Sequence, residues 1–491
     1  MPHHHTPSMN SRALAVTSCF LMLYGAKCWA IASYGSDTPF GDQWRAEADL
    51  LFRPYLGGSL GISDLFAHHN EHRILLTRLV AVGELWANGT WSPVLQMLVN
   101  ALVHVAAVVA LVAAASRLLS TGALIALVLF ATVVAALPFG WENTLGGFQL
   151  QFYLLILLAL ASLLVLYDAR AWSPRWCVGL LIGVTGYFAM ASGAMTVAAA
   201  AVLTLAHLIV GRRAGAREWT GLAGLVAIAA VMILDVPASV AAGAGSIEQA
   251  FAAAVKGASW PLAAHHWSTA AETIGALFVQ APLIAMAVRL LRERPDVSDR
   301  RWFLLALGLW IALQLVAIAH SRGSAVTAPR YLDLFVFGLL VNGACAFVLA
   351  ESRRSPRGDF FAIGALGCWL IAVLYGGGQK ALSFLPLQLA EYAAAEQIRT
   401  DNLKAYLATG DFAHLRDKPP FHTPSAAPDH VAAVVNDPAI RAVLPPSLFG
   451  RAEATPLRDA VLKIGPMLTP IGLALLALAL AALGRRREED G

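Results

Sequence analysis

Charged residues are scarce in this sequence: 13% of its 491 residues, against a hydrophobic share of 58%. Soluble domains carry about 25%, so a water-soluble fold is excluded and the chain reads as an integral membrane protein. Cysteine is scarce too. Cys19, Cys28, Cys177, Cys345 and Cys368 are odd in number, lie almost all in apolar runs and show no paired spacing, which excludes a disulfide framework or a cysteine metal site. No basic patch accompanies the net charge of +4. Arginines at the ends of membrane helices give the same balance, and nucleic acid is excluded as a partner. No internal repeat is apparent, and such repeats are the usual mark of a secondary transporter.

What abounds is apolar sequence in stretches of about 18 to 25 residues, the length that crosses a hydrocarbon core. Twelve lie near 12–33, 94–116, 121–138, 149–168, 175–190, 194–211, 218–236, 273–291, 302–319, 331–350, 360–376 and 466–484. The small-residue break "MASGAM" at 190–195 divides the fifth from the sixth. The expected fold is an all-α polytopic membrane protein of about twelve transmembrane helices. Residues 1–376 form the membrane domain, 377–465 a small outward segment, and 466–491 a last helix with a basic tail.

Positively charged short loops stay on the cytoplasmic side. With the N-terminus inside, Arg117, "ARAWSPR" at 169–175, "GRRAGAR" at 211–217, "RLLRERPDVSDRR" at 289–301, "ESRRSPR" at 351–357 and the tail "GRRREED" all fall in the cytoplasm. "AIA" at 30–32 has the look of a signal-peptide cleavage site, but the preceding apolar region is too long, and an anchor is expected. The "HHH" at 3–5 is a bland tail or a weak adventitious metal ligand. The other six segments, 34–93, 138–148, 191–194, 237–272, 320–330 and 377–465, point outward. They hold nearly all the unusual polar residues.

The first outward loop reads as two amphipathic helices lying flat in the membrane interface. "QWRAEADLLFRPYL" offers an apolar face of Trp44, Leu50, Leu51 and Leu56, and "EHRILLTRLVAVGELW" one of Ile74, Leu75, Leu79, Val82 and Leu85. Asp42 stands just beyond the first span. His68, His69, Asn70, Glu71 and His72 stand where the second flat helix begins, and Ser63 or Asp64 caps a turn there.

This layout resembles the GT-C superfamily of polytopic membrane glycosyltransferases: many membrane helices, an acid in the first outward loop shortly after the first helix, flat interface helices, and an outward portion late in the chain. Asp42 stands at the acid's position, with "DQW" in place of adjacent acids. The resemblance implies transfer of a sugar from a polyprenyl-phosphate donor to a glycan, lipid or protein acceptor. It places the chain in the bacterial cytoplasmic (inner) membrane, among membrane lipids, with both termini cytoplasmic and the working face periplasmic.

Inverting transfer from a lipid phosphate needs a base for the acceptor hydroxyl and cations for the departing phosphate. Asp42 suits the base, or else pairs with Arg45. Glu71 is a second base, an orienting acid or a first-turn helix residue. His68 and His72, four apart, share a face if helical and hold a divalent cation such as Mg or Mn with Asp42 and Glu71, or only hydrogen-bond to phosphate or sugar. His69, Asn70 and Arg73 belong to the same substrate-binding cluster, Arg73 meeting a lipid phosphate bidentately or merely attracted to headgroups.

In "LPFGWENTLGGFQLQFY" at 137–153, Glu142, Asn143, Gln149 and Gln151 face a cavity, since unpaired polar groups beside hydrocarbon are costly. Trp141, Phe148 and Tyr153 stack on sugar or form an aromatic belt. In "AHSRGSAVTAPRYLDLF" at 319–335, Arg322 and Arg330, against the orientation rule, clamp phosphate beside Tyr331 and His320, or snorkel to headgroups. Lys256 and "AAHHW" at 263–267 are weaker candidates. The 377–465 segment opens with a helix, "LQLAEYAAAEQIRTDNLKAYLATGD". It ends with a short helix in "HVAAVVNDPAIRAVLPPSL", stopped by Pro445 and Pro446, and is read as a cap that helps choose the acceptor. Two other functions fit part of the pattern: an O-antigen-type polymerase or ligase, and a secondary transporter or flippase.

Overall fold

The computed structural model describes residues 10–237, 243, 245–264, 266–352, 356–419, 421–451 and 456–489; the histidine tract at 3–5 and His265 lie outside them. Each of the twelve apolar stretches falls on a helix, from Ser11–Tyr34 to Leu468–Glu489. Among the described residues ten helical segments are long and apolar enough to cross a membrane, while Thr121–Ala136 is a shorter apolar helix. Pro174–Tyr187, at 14 residues, is shorter still. At about 1.5 Å per residue it falls well short of a hydrocarbon core of about 30 Å.

Local chemistry sets where the helices begin. Ser92, Ser120, Ser173 and Ser268 each precede a helix and accept its early amides, from Leu95, Ala123, Trp176 and Ala271. Pro93 and Pro174 occupy first positions, where no intrahelical donor is lost. The first helix packs along the last. A Cβ at Gly25 would lie 2.5 Å from the Thr469 amide nitrogen, and one at Gly472 would lie 2.9 Å from that of Met22. Glycine is needed at both places for the backbones to come this close.

The bundle's connections gather at two ends. At one, Arg12 donates to the Leu119 carbonyl at 2.9 Å, Arg213 to the Ala169 carbonyl at 2.6 Å and to Glu218 at 2.9 Å, and Arg301 to Glu293 at 2.7 Å. At the other end, polar residues of the first loop and of later segments meet one another. Arg458 reaches Asp37 at 2.6 Å, Arg73 reaches Asp235 at 2.8 Å, and Trp141 reaches Gln388 at 3.2 Å.

Here the structure corrects the reading of the first loop. The expected apolar face is only partly buried, and by protein: Trp44 and Leu51 are inside, whereas Leu50 and Leu56 are exposed. Residues Gln43–Phe52 form a π-helix, and the second helix runs over Leu75–Asn88. Trp44, Phe52, Leu85 and Trp91 share one core with Leu403, Tyr406, Val431, Val434 and Ile440 of the 377–465 segment. Asp49 meets His430 at 2.9 Å and Arg53 meets Asp437 at 3.0 Å along its edge. The loop and the later segment are therefore one body. An amphipathic face states that it needs an apolar partner, and here that partner lies more than 300 residues away rather than in lipid. The short helix expected near Pro445 is two, Pro428–Val435 and Pro438–Val443, because Asp437 caps the Ala439 amide and starts the second.

Candidate functional site

Residues 68–73 form no helix. His68–His69 pair antiparallel with His72–Arg73, His68 opposite Arg73 and His69 opposite His72. Asn70 and Glu71 make the turn, and Asn70 adopts φ +51°, a left-handed conformation that asparagine tolerates. Arg78, itself buried, fixes the entry to this hairpin by donating to the carbonyls of Leu65 at 2.9 Å and Ala67 at 2.5 Å. Asp64 caps the preceding turn by accepting from the Gly61 amide at 2.9 Å.

Cross-strand partners share a face, whereas successive residues point to opposite faces. His68 and Arg73 accordingly face Asp235, at 3.7 and 2.8 Å. His69 and the charges around His72 face Asp42. This overturns the shared helical face of His68 and His72: each is paired across the hairpin with the other's neighbour, so the two fall on opposite sides. Among the described residues no group of three or more His, Cys, Asp or Glu side chains is arranged to hold a metal ion.

Asp42 precedes the π-helix without using its carboxylate as a cap, and the side chain is 61% exposed. The helix behind it is anchored by Glu47, fully buried and bonded by Gln43 at 3.0 Å, Gln96 at 2.9 Å and Trp91 at 3.1 Å. The His69 imidazole stands 3.8 Å from the Asp42 carboxylate and packs edge-on against Phe148. It is the main influence holding the Asp42 carboxyl below the usual range, opposed by burial and reinforced by Arg330 and His72. Burial pushes His72 down to about 4, with Arg322 and His69 adding to it and Glu71 opposing. Near neutral pH this site therefore presents an ionised Asp42 beside a neutral His72.

Glu71 is ion-paired with Arg322, whose Nε also donates to the Tyr331 hydroxyl at 2.9 Å. Burial opposes ionisation of Glu71, but bonds from the backbone and from Arg322 outweigh it and its carboxyl is lowered. Arg330, half exposed, pairs with Glu142 at 2.8 Å. Asn143 is buried and donates to the Arg330 carbonyl at 2.8 Å and to Asp333 at 3.1 Å. A small cavity lined by Asn143, Phe152, Gln314, Arg330, Tyr331 and Asp333 opens beneath these groups.

Asp42, His69, Glu71, His72, Glu142, Asn143, Arg322, Arg330 and Tyr331 thus belong to one continuous cluster. Four candidates fall outside it. His68 and Arg73 are taken up by Asp235, Arg73 through two nitrogens, and the Tyr187 hydroxyl joins that carboxylate at 2.5 Å. Asn70 is an exposed turn residue. Gln149 is half-buried and accepts from Gln151 at 3.4 Å, one residue beyond the Phe148 ring that supports His69.

Sequence reasoning passed over a deeper polar group. Asp333 accepts from the Tyr153 hydroxyl at 2.9 Å, the Tyr153 ring stacks on His104 at 4.4 Å, and Lys27 donates to Thr144 at 2.9 Å. All are buried in the helix bundle. The available signal was a lone Lys in "GAKCWA" and a lone Asp in "RYLDLF", each costly in an apolar helix without a partner. Comparisons with protein-family models, with curated proteins and with solved structures find no match for this chain.

Proposed function

We propose that this chain is a membrane glycosyltransferase that moves a sugar from a polyprenyl-phosphate donor to a glycan, lipid or protein acceptor. It works at the outer face of the bacterial cytoplasmic membrane, with both ends of the chain in the cytoplasm. One observation carries the reading: an exposed Asp42 carboxylate, kept ionised by His69, adjoins the cations Arg330 and Arg322 at the polar end of a helix bundle. In this reading Asp42 takes the acceptor hydroxyl's proton. His69 positions it, and neutral His72 hydrogen-bonds a sugar hydroxyl. The half-exposed Arg330–Glu142 pair is weak in water, so Arg330 can exchange Glu142 for a donor phosphate. The arginines then meet the phosphate charge without a divalent ion, and insensitivity of transfer to a chelator is the expected result.

The test is transfer from a synthetic polyprenyl-phosphate sugar by purified protein in liposomes. Asp42→Asn should abolish transfer while donor binding persists, because the shape is kept and the proton acceptor is lost. Full activity of that variant would remove the base assignment. Arg330→Ala should raise the apparent KM for donor roughly 10- to 100-fold, since a charge-assisted bond is worth about 1.5–3 kcal/mol. The buried group around Lys27 and Asp333 favours a second reading, an ion-coupled transporter or flippase, because intramembrane charges often mark ion paths. Loss of uptake in Asp333→Asn, with no transferase activity in the unaltered protein, would select that reading.

A further inference from the structure

A second cavity, of about 240 Å³, is lined by a different set of residues from the cavity beside Arg330. Its charged lining is Lys256, Lys380 and Glu272, with Gln388 and Thr327 as neutral polar groups and Phe139, Trp260, Leu332 and Phe384 as apolar walls. Trp260 and Phe139 meet edge to face at 5.2 Å, which makes a fixed apolar floor. Glu272 is buried at 9% exposure. Lys380 is tethered by a 2.8 Å bond from its Nζ to the Ala263 carbonyl, with Phe384 5.8 Å away. That bond uses one of three ammonium protons and leaves two to be donated.

We propose that this cavity binds the phosphate group of an anionic amphiphile, held between Lys256 and Lys380. Among the described residues the lining carries two cations, Lys256 and Lys380, against one carboxylate, Glu272, all within one confined space. Confining like charges beside aromatic walls is unfavourable unless an anion joins them. A phosphate offers several acceptor oxygens and more than one unit of charge, whereas a carboxylate ligand would only duplicate Glu272. Leu382 and Leu387 flank the lining residues Phe384 and Leu385 in sequence and are 79% and 60% exposed, apolar surface suited to an acyl or prenyl tail. The inference stands apart from the sugar-transfer reading, because no residue of the Asp42 cluster lines this cavity.

Native mass spectrometry of the full-length protein with dodecyl phosphate as probe tests it. The unaltered protein should retain one equivalent more than Lys256→Gln/Lys380→Gln, with affinity for that equivalent falling roughly 10-fold per lysine removed. Lys256→Arg/Lys380→Arg keeps the charge and should keep the equivalent, which separates ligand loss from misfolding. Leu332→Trp fills the cavity and should expel the probe with both lysines in place. Competition by inorganic pyrophosphate would show that the phosphate suffices; failure of pyrophosphate to compete would show that the tail is required and the source is a membrane lipid. Equal retention by the unaltered protein and the double glutamine variant, or loss of this equivalent in Arg330→Ala instead, would overturn the proposal.

Discussion

At the scale of single residues, Asp42 keeps its charge because His69, Arg330 and His72 surround an otherwise solvent-facing carboxylate. A base whose carboxyl is held below the usual range keeps its activity further as pH falls, so the acid limb of the transfer profile should lie below the ordinary aspartate range. His69→Gln removes the largest of these influences and should move that limb to higher pH, measured as kcat/KM against pH. An unmoved limb would assign the titration to another group. The individual polar residues were legible in the sequence because each stands out against leucine and alanine. Their partnerships were not. Lys27, Asp333 and Tyr153 lie on different helices, and nothing in the local sequence says which of them meet.

At the scale of elements, the 68–73 hairpin determines which histidines serve the cluster. Two-residue strands are too short to show a period of two, so the sequence reads as the first turn of the helix that follows, and the side-chain directions come out wrong. The turn depends on Asn70 at φ +51°. Asn70→Gly should be tolerated. Asn70→Val should destabilise the hairpin by about 1–2 kcal/mol and lower activity, visible as faster amide exchange over 66–74 with the bundle unchanged. Gly140 is a second such element, for a different reason. A Cβ there would fall 2.2 Å from an Asp333 carboxylate oxygen, so Gly140→Ala should displace Asp333 and, through Asn143, the Arg330 backbone. Ten helices of spanning length were plain in the sequence, since about twenty apolar residues need no tertiary context to be recognised, whereas Thr121–Ala136 and Pro174–Tyr187 are shorter than a full span.

At the scale of the whole molecule, one joint core ties the first loop to the 377–465 segment beside acids held in low-dielectric surroundings. Burial pushes Glu47 up to about 7, and burial with the charge of Glu47 pushes Glu84 up to about 8. Both carboxyls hold their protons more tightly folded than unfolded. The stability they favour is therefore complete below the ordinary glutamate range and is lost as pH rises from there towards 8. This joint body should melt at a higher temperature at pH 5 than at pH 8, and Glu47→Gln should flatten that slope; a slope unchanged by the substitution would exonerate Glu47. This joint core was not legible, because an apolar face does not announce whether lipid or a remote segment will cover it.

The pairing of the first helix with the last also has a consequence in time. At about 5–20 residues per second, a ribosome needs roughly 20 to 90 s to travel from Tyr34 to Leu468. Throughout that interval the groove around Gly25 waits for Thr469 and Gly472. The newborn chain must leave that groove to lipid, or to a chaperone of the insertion machinery, until synthesis is nearly done. A ribosome that stalls late in the message would then release a product with an unfilled seam, a mark by which quality-control proteases can distinguish it from the finished protein.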